Sequence, residues 1–268
     1  MTGVQTCALP IYHYALVETT LTEDKWIQAY EVQPTAREVV HHVLVFARPP
    51  GASGERDFGR GRDEGMGFFA AYAPGNNFRI FPEGYAKKLP AGTRLRFQIH
   101  YTPNGKVATD RTRLGLKFAS HPPERAVQVA AIANPLINIP PGAASHVETA
   151  QLSVPADVYL TTLMPHMHLR GKAFKFEAEF PGGARRVLLD VPRYDFNWQY
   201  THQLAEPMKL PAGTVIHTTA VYDNSAANPA NPNPAVTVRW GDQTVEEMML
   251  GYVEYFVPAK HSPKVAHN

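Results

Sequence analysis

The sequence has almost no cysteine. Its single cysteine is Cys7, which lies in a segment that we expect to be foreign to the protein. Residues 1–11 (MTGVQTCALPI) resemble the translation of a common sequencing-adapter oligonucleotide, so we leave them out of the fold assignment. The rest of the chain therefore excludes disulfides and metal sites with thiolate ligands. We also expect the true amino-terminal signal region to be missing, so that its absence excludes no compartment.

Long hydrophobic runs and long runs of one charge are lacking as well. No apolar run approaches the roughly 20 residues that a membrane-spanning helix needs, so we predict no transmembrane segment. Lysine and arginine together number 26 and aspartate and glutamate number 24. Because the basic residues are scattered and do not alternate with aromatic residues, the sequence gives no support to nucleic-acid binding.

Long amphipathic helices with caps at both ends are also absent from the sequence pattern. Short apolar or alternating runs are separated instead by clusters of proline, glycine and asparagine, as at residues 39–46, 95–101, 158–163 and 248–256. Many short strands with turn residues between them are typical of antiparallel β-sandwiches. With 44% hydrophobic residues, the chain has enough apolar side chains to fill such cores. We therefore predict an all-β fold.

One motif occurs twice. Lys-Leu-Pro-Ala-Gly-Thr is found at residues 88–93 and again at residues 209–214, and in the same register Tyr101 corresponds to Tyr222. A Pro-Gly turn before an apolar strand is common, so chance is one explanation of the match. The other is that the chain contains two related β-sandwich domains.

We predict that these domains comprise residues 12–122 and residues 123–268. The boundary falls near residues 120–127, where His121-Pro-Pro-Glu is typical of a linker. Candidate metal-ligating histidines precede both copies of the repeated motif at a similar distance, which favours the two-domain interpretation.

The histidines provide the clearest chemical pattern. His166 and His168 occur in Met-Pro-His-Met-His-Leu-Arg-Gly, and in a strand their side chains would lie on one face, which makes half of a metal site. His100 lies in an apolar strand, and His41 and His42 are adjacent. Neighbouring strand residues point to opposite faces, so His41 and His42 can bind one ion only at a bulge or a strand end. Any one of these histidines alone would more often be a core residue bonded to a backbone carbonyl.

The identity of the metal depends on Met248. Zinc in a protein without cysteine would take three histidines, or two histidines and a carboxylate, whereas a thioether suits Cu(I). Strand alternation places Met248, Leu250 and Tyr252 on one face, so only one of the two neighbouring methionines, Met248 or Met249, can reach a given site. Methionine in an apolar strand usually fills a core, which is the alternative for both methionines.

The sequence resembles the type II copper, ascorbate-dependent monooxygenases, which include peptidylglycine α-hydroxylating monooxygenase and dopamine β-monooxygenase. The resemblance lies in four motifs that follow one another in this order: His-His, Gln-x-His-Tyr, His-x-His and Glu-Met. The sequence is similar above all to bacterial relatives, through Met-Pro-His-Met-His-x-Arg-Gly, Pro-Arg-Tyr-Asp-Phe-Asn-Trp and Arg-Trp-Gly-Asp-Gln-Thr at residues 164–171, 192–198 and 239–244. The resemblance implies two antiparallel jelly-roll-like β-sandwich domains packed across a cleft. It also implies two copper ions per chain.

The resemblance assigns each copper its ligands. His41, His42 and His100 would hold an electron-transfer copper in the first domain. The copper that binds O2 would lie in the second domain, with His166, His168 and Met248 as ligands, and Tyr252 matches a tyrosine that contacts substrate. In such enzymes O2 hydroxylates a C–H bond, and ascorbate or another donor supplies two electrons.

The resemblance also implies partners and a location. We expect O2 and a small-molecule or peptide substrate, an extracellular or periplasmic location where copper and oxygen are available, and a cytochrome-like or other module in the missing amino-terminal part. Met164 stands where the peptide-amidating enzymes carry an arginine, and Leu250 stands where they carry an asparagine. These departures argue against peptidylglycine as the substrate.

Two other functions fit the same residues. A non-catalytic β-sandwich could store copper or pass electrons, and a zinc hydrolase could use the histidines and leave Met248 without a role. The charged residues around the motifs, Arg170, Lys172, Glu246 and Glu247, are predicted to lie on the solvated surface. The alternatives are that Arg170 and Lys172 steer an anion such as ascorbate, and that Glu246 and Glu247 orient a metal ligand.

Overall fold

The computed structural model describes residues 11–51 and 67–257. Within these ranges all regular secondary structure is β, and no helix is long and apolar enough to cross a membrane. The segment that the sequence marks as foreign lies outside the described residues apart from Ile11, and so does Cys7.

The described residues form 18 strands, numbered in chain order. They are β1 (Ile11–Glu18), β2 (Lys25–Gln33), β3 (Val40–Arg48), β4 (Phe68–Tyr72), β5 (Phe78–Ile80), β6 (Tyr85–Leu89), β7 (Arg94–Tyr101), β8 (Arg113–Phe118), β9 (Arg125–Ala133), β10 (Asn138–Ile139), β11 (His146–Ser153), β12 (Val158–His166), β13 (Gly171–Glu179), β14 (Arg185–Val191), β15 (His202–Leu210), β16 (Val215–Tyr222), β17 (Val238–Arg239) and β18 (Leu250–Phe256).

The carboxyl-terminal half forms a jelly roll. One sheet has the order β11-β16-β13-β14, and the facing strands have the order β15-β12-β18-β9. Two four-stranded sheets in which the strands follow this order form the double Greek key of the jelly roll. Alternate residues of β13 and β16 point inward, so that Phe174, Phe176, Ile216 and Ala220 are buried in the core between the sheets.

The amino-terminal half is a second sandwich. The sheet β1-β7-β3-β4 faces β2, which pairs with β5, β6 and β8. Ile27 from β2 and Val43, Val45, Phe97 and Ile99 from the opposite sheet form the buried core. The other face of β3 carries His42, Leu44 and Phe46, which are also buried. Both faces of β3 are therefore covered, and its outer face meets the second half of the molecule.

The two halves are joined by a sheet and by an apolar cluster. Strand β6 pairs with β9 in parallel, which makes β15-β12-β18-β9-β6-β2-β5 one continuous sheet. Phe68 of β4 stacks on Tyr252 of β18 with ring centroids 4.5 Å apart. The predicted all-β class, with jelly-roll-like sandwiches that face each other, is confirmed. The predicted linker lies between β8 and β9, and the domain boundaries stay a prediction.

The repeated motif forms the same turn in both halves. Gly92 and Gly213 adopt φ values of 66° and 85°, a region in which a side chain is unfavourable. The backbone N–H groups of Ala91 and Ala212 each donate to an aspartate, Asp24 in the first half and Asp157 in the second, at 2.9 Å. Lys88 and Lys209, the first residues of the motif copies, pair with these same aspartates. The two copies are equivalent in structure as well as in sequence.

Candidate metal centre

His41 lies at a bulge in β3. The pairing of β3 with β7 shifts register between Val40 and His42, so that His41 is the extra residue and His42 lies opposite His100. The bulge turns both imidazoles to the same side, and their Nδ1 atoms are 3.1 Å apart. Two adjacent histidines can bind one ion only at a bulge or a strand end, and the structure has a bulge at this position.

The first histidine set is compact. The potential ligand nitrogens of His41, His42 and His100 all lie within 4.8 Å of one another. His41 Nε2 is 3.4 Å from Asn197 Oδ1; since an amide oxygen only accepts, this nitrogen is the donor and Nδ1 keeps its lone pair. His100 Nε2 is 3.2 Å from Thr244 Oγ1, while the buried His100 Nδ1 has no hydrogen-bond partner. A buried unpaired nitrogen beside two further imidazoles fits a metal ion.

The second set lies where β12 ends. His166 is the last residue of β12, and its Nδ1 donates to Gln199 Oε1 at 2.7 Å. His168 lies two residues further on, and its Nδ1 donates to the backbone oxygen of Glu246 at 3.2 Å. Because each Nδ1 carries the proton, each Nε2 has a free lone pair. Both rings are therefore held in the tautomer that can bind a metal through Nε2.

The two sets are adjacent. The ring of His42 lies 6.2 Å from the ring of His166, centroid to centroid, and His166 lies 5.3 Å from His168. The resemblance places one site in each half, and the structure brings these sites together at the junction of the halves. The histidines of both sets thus form one continuous cluster.

Burial keeps the cluster uncharged. Loss of hydration lowers the pKa of His100 to about 3 and that of His166 to about 4. The same effect, with repulsion from the neighbouring imidazoles, lowers the pKa of His42 and of His168 well below the usual value, and the pKa of His41 is lowered by burial as well. Neutral imidazole is the form that binds metal ions, so all five are competent ligands near pH 7.

Met248 precedes β18 by two residues, just as His168 follows β12 by two residues. His166 pairs with Leu250 at the end of the β12–β18 ladder, and a continuation of that antiparallel register would set Met248 opposite His168. Met248, Leu250 and Tyr252 share the apolar cluster between the halves, whereas Met249 packs in the carboxyl-terminal core. The predicted alternation of faces is confirmed. The roles of Met248 as a ligand and of Tyr252 as a substrate contact stay predictions.

Arg170 and Glu247 correct an expectation from the sequence. Both were predicted to be solvated, but Arg170 is 1% exposed and Glu247 is 0% exposed. The Glu247 carboxylate accepts hydrogen bonds from the backbone N–H of His168 at 2.8 Å and of Arg170 at 2.6 Å. Burial raises the pKa of Glu247, whereas these N–H groups and the Arg170 guanidinium favour the ionised carboxylate and oppose the rise.

Residues 194–199 contact both histidine sets. The sequence did not predict these contacts. Phe196 stacks on His41 at 4.4 Å and lies 6.1 Å from His168. The Tyr194 hydroxyl donates to the backbone oxygen of Met167, between the two histidines of the second set. The sequence pointed to this segment only as the Pro-Arg-Tyr-Asp-Phe-Asn-Trp motif of the resemblance. Asp195 shapes a turn in this segment by accepting from the backbone N–H of Asn197.

The third motif of the resemblance, residues 239–244, reaches the first set. Thr244 Oγ1 lies 2.7 Å from the Tyr12 hydroxyl, and Tyr12 stacks on His100 with ring centroids 4.6 Å apart. All three motifs of the resemblance therefore meet at the histidine cluster, although they are far apart in the sequence.

Comparisons with known proteins add little to this geometry. No protein-family model matches the chain, and no curated protein matches it. Among solved structures, the major capsid protein P2 of bacteriophage PM2 aligns with 94% of this chain and 99% of its own, at 9% identity and a TM-score of 0.37. A secreted protein of Eubacterium rectale aligns with 93% of this chain and 70% of its own, at 10% identity and a TM-score of 0.28. Scores this low support no conclusion about function.

Proposed function

We propose that this chain is a copper-dependent monooxygenase similar to the type II copper, ascorbate-dependent enzymes, with two copper ions per chain. The observation that supports the proposal is the cluster of five uncharged imidazoles, of which His41 is partly buried and the other four are buried. His41, His42 and His100 would hold one copper through nitrogens that lie within 4.8 Å of one another. His166 and His168, with Met248, would hold the second.

Met248 is the donor that would favour copper over zinc, because three imidazoles alone also suit zinc. The described residues of the first set offer only imidazole nitrogen, and the nearby buried carboxylate of Glu247 is already taken by backbone N–H groups. An imidazole set with one thioether suits copper, and the thioether favours Cu(I). Copper would supply the two electrons that turn R–H and O2, with two protons, into R–OH and water.

The protein residues have separate tasks in this proposal. Gln199 and the backbone oxygen of Glu246 hold the protons of His166 and His168 at Nδ1, which leaves Nε2 of each ring for the metal. The ring of Phe196 covers His41 and limits the access of water. The substrate is a small organic molecule or a peptide other than peptidylglycine, ascorbate or another donor provides the electrons, and the enzyme acts in the periplasm or outside the cell.

Metal analysis and oxygen labelling test the proposal together. The purified chain is loaded with copper or zinc, the bound ions are counted, and organic compounds are screened with 18O2 and ascorbate. We expect two copper ions per chain and a product that gains one 18O atom. A protein that binds two copper ions but yields no labelled product above a control with free copper would be a storage or electron-transfer module. Binding of zinc alone, with hydrolytic activity, would favour the hydrolase.

Two neighbouring methionines provide a matched test of the thioether ligand. Met248→Leu and Met249→Leu both conserve volume, which usually costs less than about 1.5 kcal/mol of stability. We expect only Met248→Leu to weaken Cu(I) binding, because Met249 packs in the carboxyl-terminal core. Equal Cu(I) affinity in both variants would remove Met248 from the ligand set.

A further inference from the structure

The segment that carries Met248 and the segment that carries His168 are tied together by hydrogen bonds. Glu247 accepts from the backbone N–H of His168 at 2.8 Å and from that of Arg170 at 2.6 Å. Arg170 Nη1 donates to the backbone oxygen of Val245 at 2.8 Å, and His168 Nδ1 donates to that of Glu246. Residues 245–247 therefore each bind the loop that follows β12.

This connection is buried and anchored on both sides. Arg170 Nε donates to Asn224 Oδ1 at 2.8 Å, and Asn224 is itself 0% exposed. The Asn224 amide donates to the backbone oxygens of Pro140 and Val236. Next to Glu247, the backbone oxygen of Met248 accepts from the buried Tyr222 hydroxyl at 2.7 Å. Neither side chain of the Glu247 and Arg170 pair can change position without breaking bonds to fixed backbone.

We propose that Glu247 and Arg170 are positioning residues of the second copper site, which set the spacing between His168 and Met248. This inference rests on the proposed function. Neither residue is a metal ligand, because the Glu247 oxygens face backbone N–H groups and the guanidinium has no lone pair to donate. Among the described residues, the hydrogen bonds from the first set to other side chains go to Asn197 and Thr244 rather than to this pair.

The chemistry of the contact explains why a carboxylate and an arginine are needed. A carboxylate can accept from two N–H groups at once, one at each oxygen. In Gln one of these oxygens is replaced by an NH2 group, which cannot accept from a backbone N–H, so one of the two hydrogen bonds is lost. Arginine presents several donors in a rigid plane, so Arg170 can reach Asn224 and Val245 together, while lysine would keep the charge and lose that geometry. Partners that orient metal ligands typically change affinity 10- to 100-fold when they are replaced.

Metal affinity measured site by site tests this role. Glu247→Gln and Arg170→Lys are prepared in the full chain and in a His100→Ala background, which disables the first set. Cu(I) affinity is measured by competition with a colorimetric chelator, and the environment of Cu(II) by electron paramagnetic resonance. We expect each variant to weaken the second site by about tenfold or more and to shift its spectrum, while the first site keeps its affinity.

Glu254→Gln is the matched control. Glu254 is a buried carboxylate on β18, the strand that follows Glu247, but its partners are Lys87, Arg79 and Thr162 rather than the histidine loop. We expect this variant to lower thermal stability without changing either copper site. Unchanged second-site affinity in folded Glu247→Gln and Arg170→Lys would overturn the inference. Equal loss of both sites would overturn it too, because the pair would then support the fold alone. Wild-type protein that binds fewer than two copper ions would instead refute the proposed function.

Discussion

The rings of His42 and His166 lie 6.2 Å apart, centroid to centroid, although they come from opposite halves of the chain. His42 belongs to the set with His41 and His100, and His166 to the set with His168. Two ions held by these sets would therefore be neighbours, with no protein layer between them. Electron transfer between ions so placed would need no long path through the protein.

This distance predicts a magnetic interaction between two bound Cu(II) ions. Dipolar coupling falls with the cube of the distance, so ions held by adjacent rings should broaden each other's resonance. We expect the doubly loaded protein to give a spectrum that is broader than the sum of the two single-site spectra. His100→Ala and His166→Ala, each loaded at its remaining site, provide the two single-site spectra. A doubly loaded spectrum equal to their sum would show that the ions are far apart.

Gln199 should control the second site alone. Its Oε1 accepts from His166 Nδ1 at 2.7 Å in a buried position. Gln199→Leu leaves this N–H without a partner, which costs about 1–3 kcal/mol when the group is buried, and it releases the ring to adopt the other tautomer. We expect the second copper site to weaken about tenfold or more. The measurement is Cu(I) affinity in a His100→Ala background.

Asn197→Ala is the reciprocal control for Gln199→Leu. Asn197 Oδ1 lies 3.4 Å from His41 Nε2, a longer contact at an exposed position. We expect a small effect that is confined to the first site. If Gln199→Leu and Asn197→Ala weakened the same site, the assignment of these two residues to different histidine sets would be wrong.

Phe196 should control access to the cluster. Its ring stacks on His41 at 4.4 Å and lies 6.2 Å from His100. Phe196→Ala removes this cover, so we expect faster modification of the histidines by diethyl pyrocarbonate and faster copper release to a chelator, with a smaller change in affinity at equilibrium. Trp198→Ala is the control, because Trp198 lies on the same segment, is 63% exposed and contacts Tyr200 with ring centroids 5.3 Å apart. Equal rates in the two variants would contradict the role of Phe196.

Much of the fold could be predicted from the sequence because its causes are local. Short alternating runs and Pro-Gly turns indicate strands, and the repeated Lys-Leu-Pro-Ala-Gly-Thr forms equivalent turns at Gly92 and Gly213. Asp24 and Asp157 accept hydrogen bonds from these turns, but they lie elsewhere in the chain, and the local sequence does not predict that they bind the turns. The same limit applies to the bulge at His41, since it is a property of the pairing of β3 with β7.

Only part of the site could be predicted from the sequence, because the rest depends on contacts between distant segments. The five histidines stand out by type and spacing, and the structure groups them. Arg170 and Glu247 were assigned to the surface because isolated charges usually lie there, and their burial depends on a contact between segments 77 residues apart. Phe196 and Gln199 approach the histidines through a loop whose path the sequence does not specify.

The buried charges of Lys87 and Glu254 give a prediction for pH. Burial opposes ionisation of Glu254, but Lys87 and Arg79 more than offset it and hold the pKa of this carboxyl below its ordinary value of 4.5. The folded state therefore binds fewer protons than the unfolded state as the solution is acidified. The stabilisation by ionised Glu254 is fully present above about pH 4.5 and is lost as the pH falls through the lower pKa of the folded state.

Glu254→Gln should remove this stabilisation. Loss of one partner leaves Lys87 buried at 5% exposure without its carboxylate, and we expect the free energy of unfolding near pH 7 to fall by about 3 kcal/mol. The difference between wild type and variant should shrink below about pH 4.5, because the unfolded wild type then binds a proton that the folded protein binds only at its lower pKa. Urea unfolding at several pH values measures both effects. Glu179→Gln, which removes an exposed carboxylate paired with Arg185, should change little at any pH. A difference for Glu254→Gln that stayed constant down to pH 3 would show that the carboxylate is not ionised in the folded protein.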